Sequence, residues 1–240
     1  MSNETGFQSL WGTPIGVHRH GGAGELNELL VRVFGALRAT QQQARDETRG
    51  ERRDVKSAFF ASDDDLLTRV KLPEWQGFVR FLVESLRDTV TQANRGVWPA
   101  HGIDLRVAIE GMWFQCSNQG AFHEVHTHGN CSWSGVYIVQ VDDEAKRVGH
   151  PVYGESNGCT RFYGPHFAAM AGAHADLGNA YLQPPHIEVP PVAGQLVLFP
   201  SWLAHQAMPY QGDAERIIVS FNASIHAANG ADRLHGYSAA

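Results

Sequence analysis

The stretch GAFHEVHTHGN (Gly120–Asn130), followed by SWSGVYIV (Ser132–Val139), sets a histidine-rich segment against a run of strand-forming residues. In extended backbone, residues i and i+2 project from the same face, so His126 and His128 can converge on one ion from the mouth of a strand. The same alternation puts His123 on the opposite face from His126. The chain holds 13 histidines in 240 residues, and three of them crowd between positions 123 and 128. Histidine is the commonest side-chain ligand of transition metals, so the cluster raises a metal hypothesis. A third ligand has to come from a distant strand. The run FPSWLAH (Phe199–His205) ends a strongly apolar segment at a turn, which makes His205 the candidate.

Beyond His205 comes RIIVSFN (Arg216–Asn222), whose alternation places Arg216, Ile218, Ser220 and Asn222 on one face. A guanidinium fork and a hydroxyl on an otherwise apolar wall suit a carboxylate anchor.

Working outward, the texture after Pro99 is short β-rich runs broken by Gly, Pro and Asn, carrying Val107, Ile109, Trp113, Val136, Ile138, Val197, Phe199, Ile218 and Phe221. The first hundred residues read mainly as helix. Leu26, Leu30, Val33, Phe34 and Leu37 recur at helical spacing, and the polar stretch 41–56 reads as a frayed helix end and exposed connection. A second helix is expected from Pro73 through Phe78, Phe81, Leu82 and Leu86 to about Asn94, with Gly96 as its stop. The fold class is α+β: a two-sheet jelly roll braced by N-terminal helices. Residues 1–240 read as a single domain, with 1–98 as helical support, 99–226 as the catalytic jelly roll and 227–240 as a tail. The poorly periodic region 148–185 is either a lid or a plain connection, and its length favours a part in substrate choice.

The apolar fraction of 43%, with 12 Phe, 6 Trp and 6 Tyr, is that of a globular protein. A formal net charge of -6 and scattered basic residues give no footprint for nucleic acid. No apolar run reaches membrane-spanning length and the N-terminus carries no secretory pattern, so a cytoplasmic location is expected. Cys116, Cys131 and Cys159 form no C-x-x-C pair and suggest neither disulfides nor a zinc knuckle. A small-molecule substrate is the expected partner.

Trp113, Gly120, the H-x-H of His126 and His128, Ser134–Tyr137, Gly194–His205 and Arg216–Asn222 together resemble the 2-oxoglutarate/Fe(II) oxygenase family, a branch of the double-stranded β-helix dioxygenases. The resemblance covers about residues 110–222. It implies ferrous iron near the open end of the jelly roll, with 2-oxoglutarate and dioxygen as cosubstrates. The distal carboxylate of 2-oxoglutarate would pair with Arg216 and a hydroxyl such as Ser220. Gln115 and Tyr137 are expected to line the cosubstrate side of the cavity, and Trp113 the substrate side. Trp113 and Tyr137 fit a plain aromatic core equally well.

One position departs from the superfamily pattern. The usual facial triad has Asp or Glu two residues after the first His, where this chain has His128. Either the site is three histidines, or a carboxylate such as Glu124 completes it. The three-histidine reading is preferred, because the related family carries H-x-H here and Glu124 precedes His126. The reaction expected is hydroxylation of a small molecule or amino-acid-like substrate, with release of succinate and carbon dioxide. Two alternatives stand beside it: a cupin-type three-histidine dioxygenase independent of 2-oxoglutarate, and a catalytically silent jelly-roll binding module. Neither the substrate nor the oligomeric state is legible.

Overall fold

Alternation and helical periodicity divide the chain much as its punctuation suggests. The computed structural model describes residues 12–49, 58–99, 102–165 and 184–229. Helix α1 (Ala23–Arg49) buries Leu26, Leu30 and Phe34, with Val33 and Leu37 packed beside them, which is the stripe its spacing predicts. After the short helix α2 (Leu66–Arg69), helix α3 (Pro73–Ala93) opens on its proline and buries Trp75, Phe78, Leu82, Leu86 and Val90. Asn94 closes it, its backbone N–H donating to Val90 O.

Ten strands form two antiparallel sheets. They are β1 (Gly16–Arg19), β2 (Phe59–Ala61), β3 (Leu105–Ser117), β4 (Ala121–His126), β5 (Trp133–Gln140), β6 (Thr160–Tyr163), β7 (His186–Val189), β8 (Gln195–Pro200), β9 (His205–Tyr210) and β10 (Arg216–Ala227). The major sheet runs β1-β8-β5-β10-β3-β2 and the minor sheet β4-β9-β6-β7. From β3 onward the chain passes repeatedly between the sheets, which is the winding of a double-stranded β-helix. Among the described residues, no helix is long and apolar enough to cross a membrane.

Two features differ from the sequence reading. The first hundred residues supply both edge strands of the major sheet, β1 and β2, as well as the helices. Strands of four and three residues are too short to impose a visible alternation. Secondly, the region expected to be lid or connection contains β6, a central strand of the minor sheet. Residues 166–183 of that region, and 230–240 of the expected tail, lie outside the described residues.

The faces of the major sheet are sorted by alternation. Met112, Phe114 and Cys116 of β3, Tyr137 and Val139 of β5, and Ile217, Val219 and Phe221 of β10 pack in one core with α1 and α3. Gly135 sits where a Cβ would collide with the Phe221 ring, so this crowded row tolerates no side chain there. The intervening residues face the minor sheet. A tight turn carries the chain from β3 of the major sheet to β4 of the minor one: Gln119 (φ 53°) and Gly120 (φ 77°) are both left-handed, and Ala121 N donates to Asn118 O at 2.9 Å, the pattern of a type I′ turn.

Candidate metal centre

The histidines meet where the two sheets open. His126 is the last residue of β4, His128 lies two residues further on, and His205 opens β9 opposite His126 in the strand register. His128 is held by its backbone N–H, which donates to Ser201 O at 2.9 Å in the β8–β9 turn. Under that turn, Ser201 Oγ lies 3.0 Å from Cys131 Sγ and 3.1 Å from Ser134 Oγ, and Ser134 donates to Asn222 Oδ1 at 2.8 Å. The segment bearing His128 is therefore tied to the β8–β9 turn and, through Ser134, to β10.

One potential ligand atom from each of His126, His128 and His205 lies within 4.8 Å of the others. Nδ1 of His126 is 2.7 Å from Glu124 O, and Nδ1 of His205 is 2.9 Å from Leu203 O. A carbonyl accepts only from N–H, so both rings carry the proton on Nδ1 and turn a bare Nε2 inward, as metal-bound imidazoles do. Nε2 of His128 and Nε2 of His205 are 3.3 Å apart. Two nitrogens about 2.1 Å from one ion and at right angles to each other are separated by about 3.0 Å, so the spacing fits cis ligands of an octahedral ion.

Burial pushes His205 down to about 3 and His128 down to about 4. Both rings are neutral at physiological pH, the state a metal requires. The donor set thus fits a divalent transition ion. Glu124 is exposed and stands outside the cluster, so the described residues bring three histidines together and no carboxylate.

One cavity is lined by these histidines together with Trp113, Gln115, Ser220 and Arg216. The Trp113 ring is 6.3 Å from that of His128. Arg216 is 3% exposed, and its Nε is buried with no hydrogen-bond partner. Among the described residues it forms no ion pair. The neighbouring Cys159 thiol is raised to about 11, chiefly by burial, and the Tyr210 phenol is also raised by burial, so neither supplies an anion at neutral pH. Burial lowers Arg216 to about 10, which still leaves it cationic. A buried, unpaired guanidinium is costly, and an incoming carboxylate is its natural complement.

Two expectations are corrected. Tyr137 does not line the cavity: it lies on the helix face of β5, fully buried, and donates to Asn27 Oδ1 of α1 at 2.9 Å. Its strand neighbours Val136 and Ser134 face the cavity instead, as alternation from Ser134 requires. His123 does line the cavity, on the same side as His126, with ring centroids 4.1 Å apart. The β4–β9 register slips by one between His123 and His126. That bulge turns the ring inward, and no alternation rule applied to the sequence shows it. Thr160 of β6 is a further lining residue, hidden in a segment whose periodicity is weak.

Residues 111–222, slightly under half of the chain, match the family model described as "Putative 2OG-Fe(II) oxygenase". The match bears out the resemblance drawn from the motifs. No curated protein matches the sequence. Among solved structures, HygX from Streptomyces hygroscopicus, determined with nickel, 2-oxoglutarate and hygromycin B bound, is similar with 11% identity and a TM-score of 0.51, over 88% of this chain and 83% of that one. A prolyl-4-hydroxylase from Pseudomonas putida aligns with 14% identity and a TM-score of 0.46, over 88% of this chain and 93% of that one. The likeness to HygX shows the fold, a double-stranded β-helix.

Proposed function

We propose that this protein is an iron(II)- and 2-oxoglutarate-dependent oxygenase that hydroxylates a small-molecule or amino-acid-like substrate and releases succinate and carbon dioxide, a reading that the family match over residues 111–222 supports. In this reading His126, His128 and His205 hold the iron, and Arg216 anchors the distal carboxylate of 2-oxoglutarate. The observation that carries it is one cavity containing both a three-imidazole cluster and a buried guanidinium without a counter-ion.

Iron(II) with 2-oxoglutarate and dioxygen supplies an oxidant strong enough to take hydrogen from a C–H bond. The chain's own part is to orient and to exclude water. Carbonyl oxygens of Glu124 and Leu203 fix the tautomers of His126 and His205, leaving both Nε2 lone pairs to hold the iron when it binds. Arg216 pairs with a carboxylate in a low-dielectric wall, where such a pair is stronger than in water. Ser220 and Gln115 add polar contacts beside it, and Phe199 and Ile218 keep the surroundings dry. Trp113, next to His128, forms the wall against which a substrate is positioned. A small-molecule substrate is in keeping with HygX, which shares the fold and was determined with hygromycin B bound.

The test is oxygen uptake and succinate formation by the iron-loaded protein supplied with 2-oxoglutarate. Turnover that depends on 2-oxoglutarate and disappears in His205→Ala is the expected result. Iron retained with no keto-acid dependence would move the assignment to a three-histidine dioxygenase that binds its substrate directly.

A further inference from the structure

The bulge that brings His123 inward has a consequence for the cosubstrate. Across the minor sheet, His126, His205 and Phe162 stand in one row, and His123, Ala207 and Thr160 in the next. The second row lies two residues along β9 from the first, about 7 Å at strand spacing, which is the length scale of a short dicarboxylic acid. Ala207, the middle member, carries only a methyl group, so the row is a trough with an imidazole on one side and a hydroxyl on the other. Arg216 lies beyond it: a Cβ on Gly158, two residues before Thr160, would stand 3.5 Å from Arg216 Cδ. The order along the cavity is therefore the histidine triad, then the His123 row, then the guanidinium.

The His123 ring is held between its neighbours, 4.1 Å from the His126 ring and 5.9 Å from the Phe59 ring. Its nitrogens have no hydrogen-bond partner among the described residues, although the ring is only partly exposed. The ring lines the cavity with its nitrogens accessible, so they are free to meet a ligand there.

Resting on the oxygenase reading above, we propose that His123 hydrogen-bonds the distal half of bound 2-oxoglutarate, between the metal and Arg216, and so helps to select a dicarboxylic keto acid. A keto acid held at the triad and paired with Arg216 would lie over this trough. His123 meets it from the minor sheet, while Arg216 and Ser220 meet it from the major one.

Anaerobic calorimetric titration of the iron(II)-loaded protein tests this, using 2-oxoglutarate and 2-oxobutyrate, which lacks the distal carboxylate. His123→Phe keeps a ring against His126 and removes the hydrogen-bonding nitrogens. It is expected to weaken 2-oxoglutarate about tenfold, the size of one hydrogen bond to a charged group, and to leave 2-oxobutyrate affinity and iron content unchanged. His123→Gln, which restores an amide donor, is expected to recover part of the loss. Wild-type affinity for 2-oxoglutarate in His123→Phe would overturn the proposal, as would an equal loss for both keto acids, which would assign the ring to supporting His126. Wild-type protein that binds iron but neither keto acid would instead remove the oxygenase reading itself.

Discussion

The two faces of the major sheet are made by the same strands and differ in almost every physical respect. On β10, Ile217, Val219 and Phe221 point to the helices, while Arg216, Ile218 and Ser220 point into the cavity. On β3, Met112, Phe114 and Cys116 face the helices, and Trp113 and Gln115 the cavity. The helix face is filled and apolar, with Phe114 stacked on Phe34 of α1 at 4.5 Å. The cavity face carries an amide, hydroxyls and an unpaired cation, and the imidazoles borne by β4, the loop after it and β9 stand across the cavity from it. One period-two pattern thus separates a surface that stabilises the fold from one that strains it for function.

If that division is right, substitutions on the two faces have effects of different kind. Phe114→Ala is expected to lower stability by about 3–5 kcal/mol, read by denaturant unfolding, and to leave the iron affinity of the folded protein unchanged. Acid gives an effect of similar size from the cavity. His128 and His205 have folded values below that of an exposed histidine. The unfolded chain therefore takes up their protons first, and stability is lost as pH falls from about 6.5 toward the folded values of about 4 and about 3. For His205 alone the loss is on the order of 4 kcal/mol. Thermal unfolding of the metal-free protein between pH 7 and 4 should show it, with a flatter profile in His205→Leu. A pH-independent midpoint would mean that these rings are not buried neutral. Arg216→Met should move the other way and raise the midpoint by a few degrees, because it removes an unpaired buried charge. Tyr137→Phe is the smallest change: about 1 kcal/mol of stability, from the lost bond to Asn27, and no effect on 2-oxoglutarate binding. An altered 2-oxoglutarate affinity in that variant would return Tyr137 to the cavity and break the division.

Much of this was legible in the chain. The α1 stripe, the Pro73 start of α3, and the alternation of β5 and β10 are strong periodic signals, and they carried the fold class. Ordered motifs fix the spacing of His126, His128, His205, Arg216 and Ser220, and the structure brings all five to the lining of one cavity. What stayed hidden has particular causes. Strands β1 and β2 are too short to show alternation, and β6 lies within a Gly-rich stretch. Tyr137 was misplaced although its own strand contained the correction, since Ser134 and Val136 share a face from which Tyr137 is excluded. His123 was assigned outward by a rule that a single bulged residue reverses, and a bulge is a property of the strand pair.

The central claim is that the three histidines and Arg216 form one site for iron(II) and 2-oxoglutarate. Its most direct test is anaerobic titration of the iron(II)-loaded protein with 2-oxoglutarate, following the visible metal-to-ligand charge-transfer band in wild type, Arg216→Met and His128→Ala. The account predicts a band in wild type, a midpoint shifted by about a hundredfold or more in Arg216→Met, the size of a buried ion pair lost, and no band in His128→Ala. A wild-type protein with confirmed iron and no band, or an Arg216→Met variant that titrates like wild type, would contradict it.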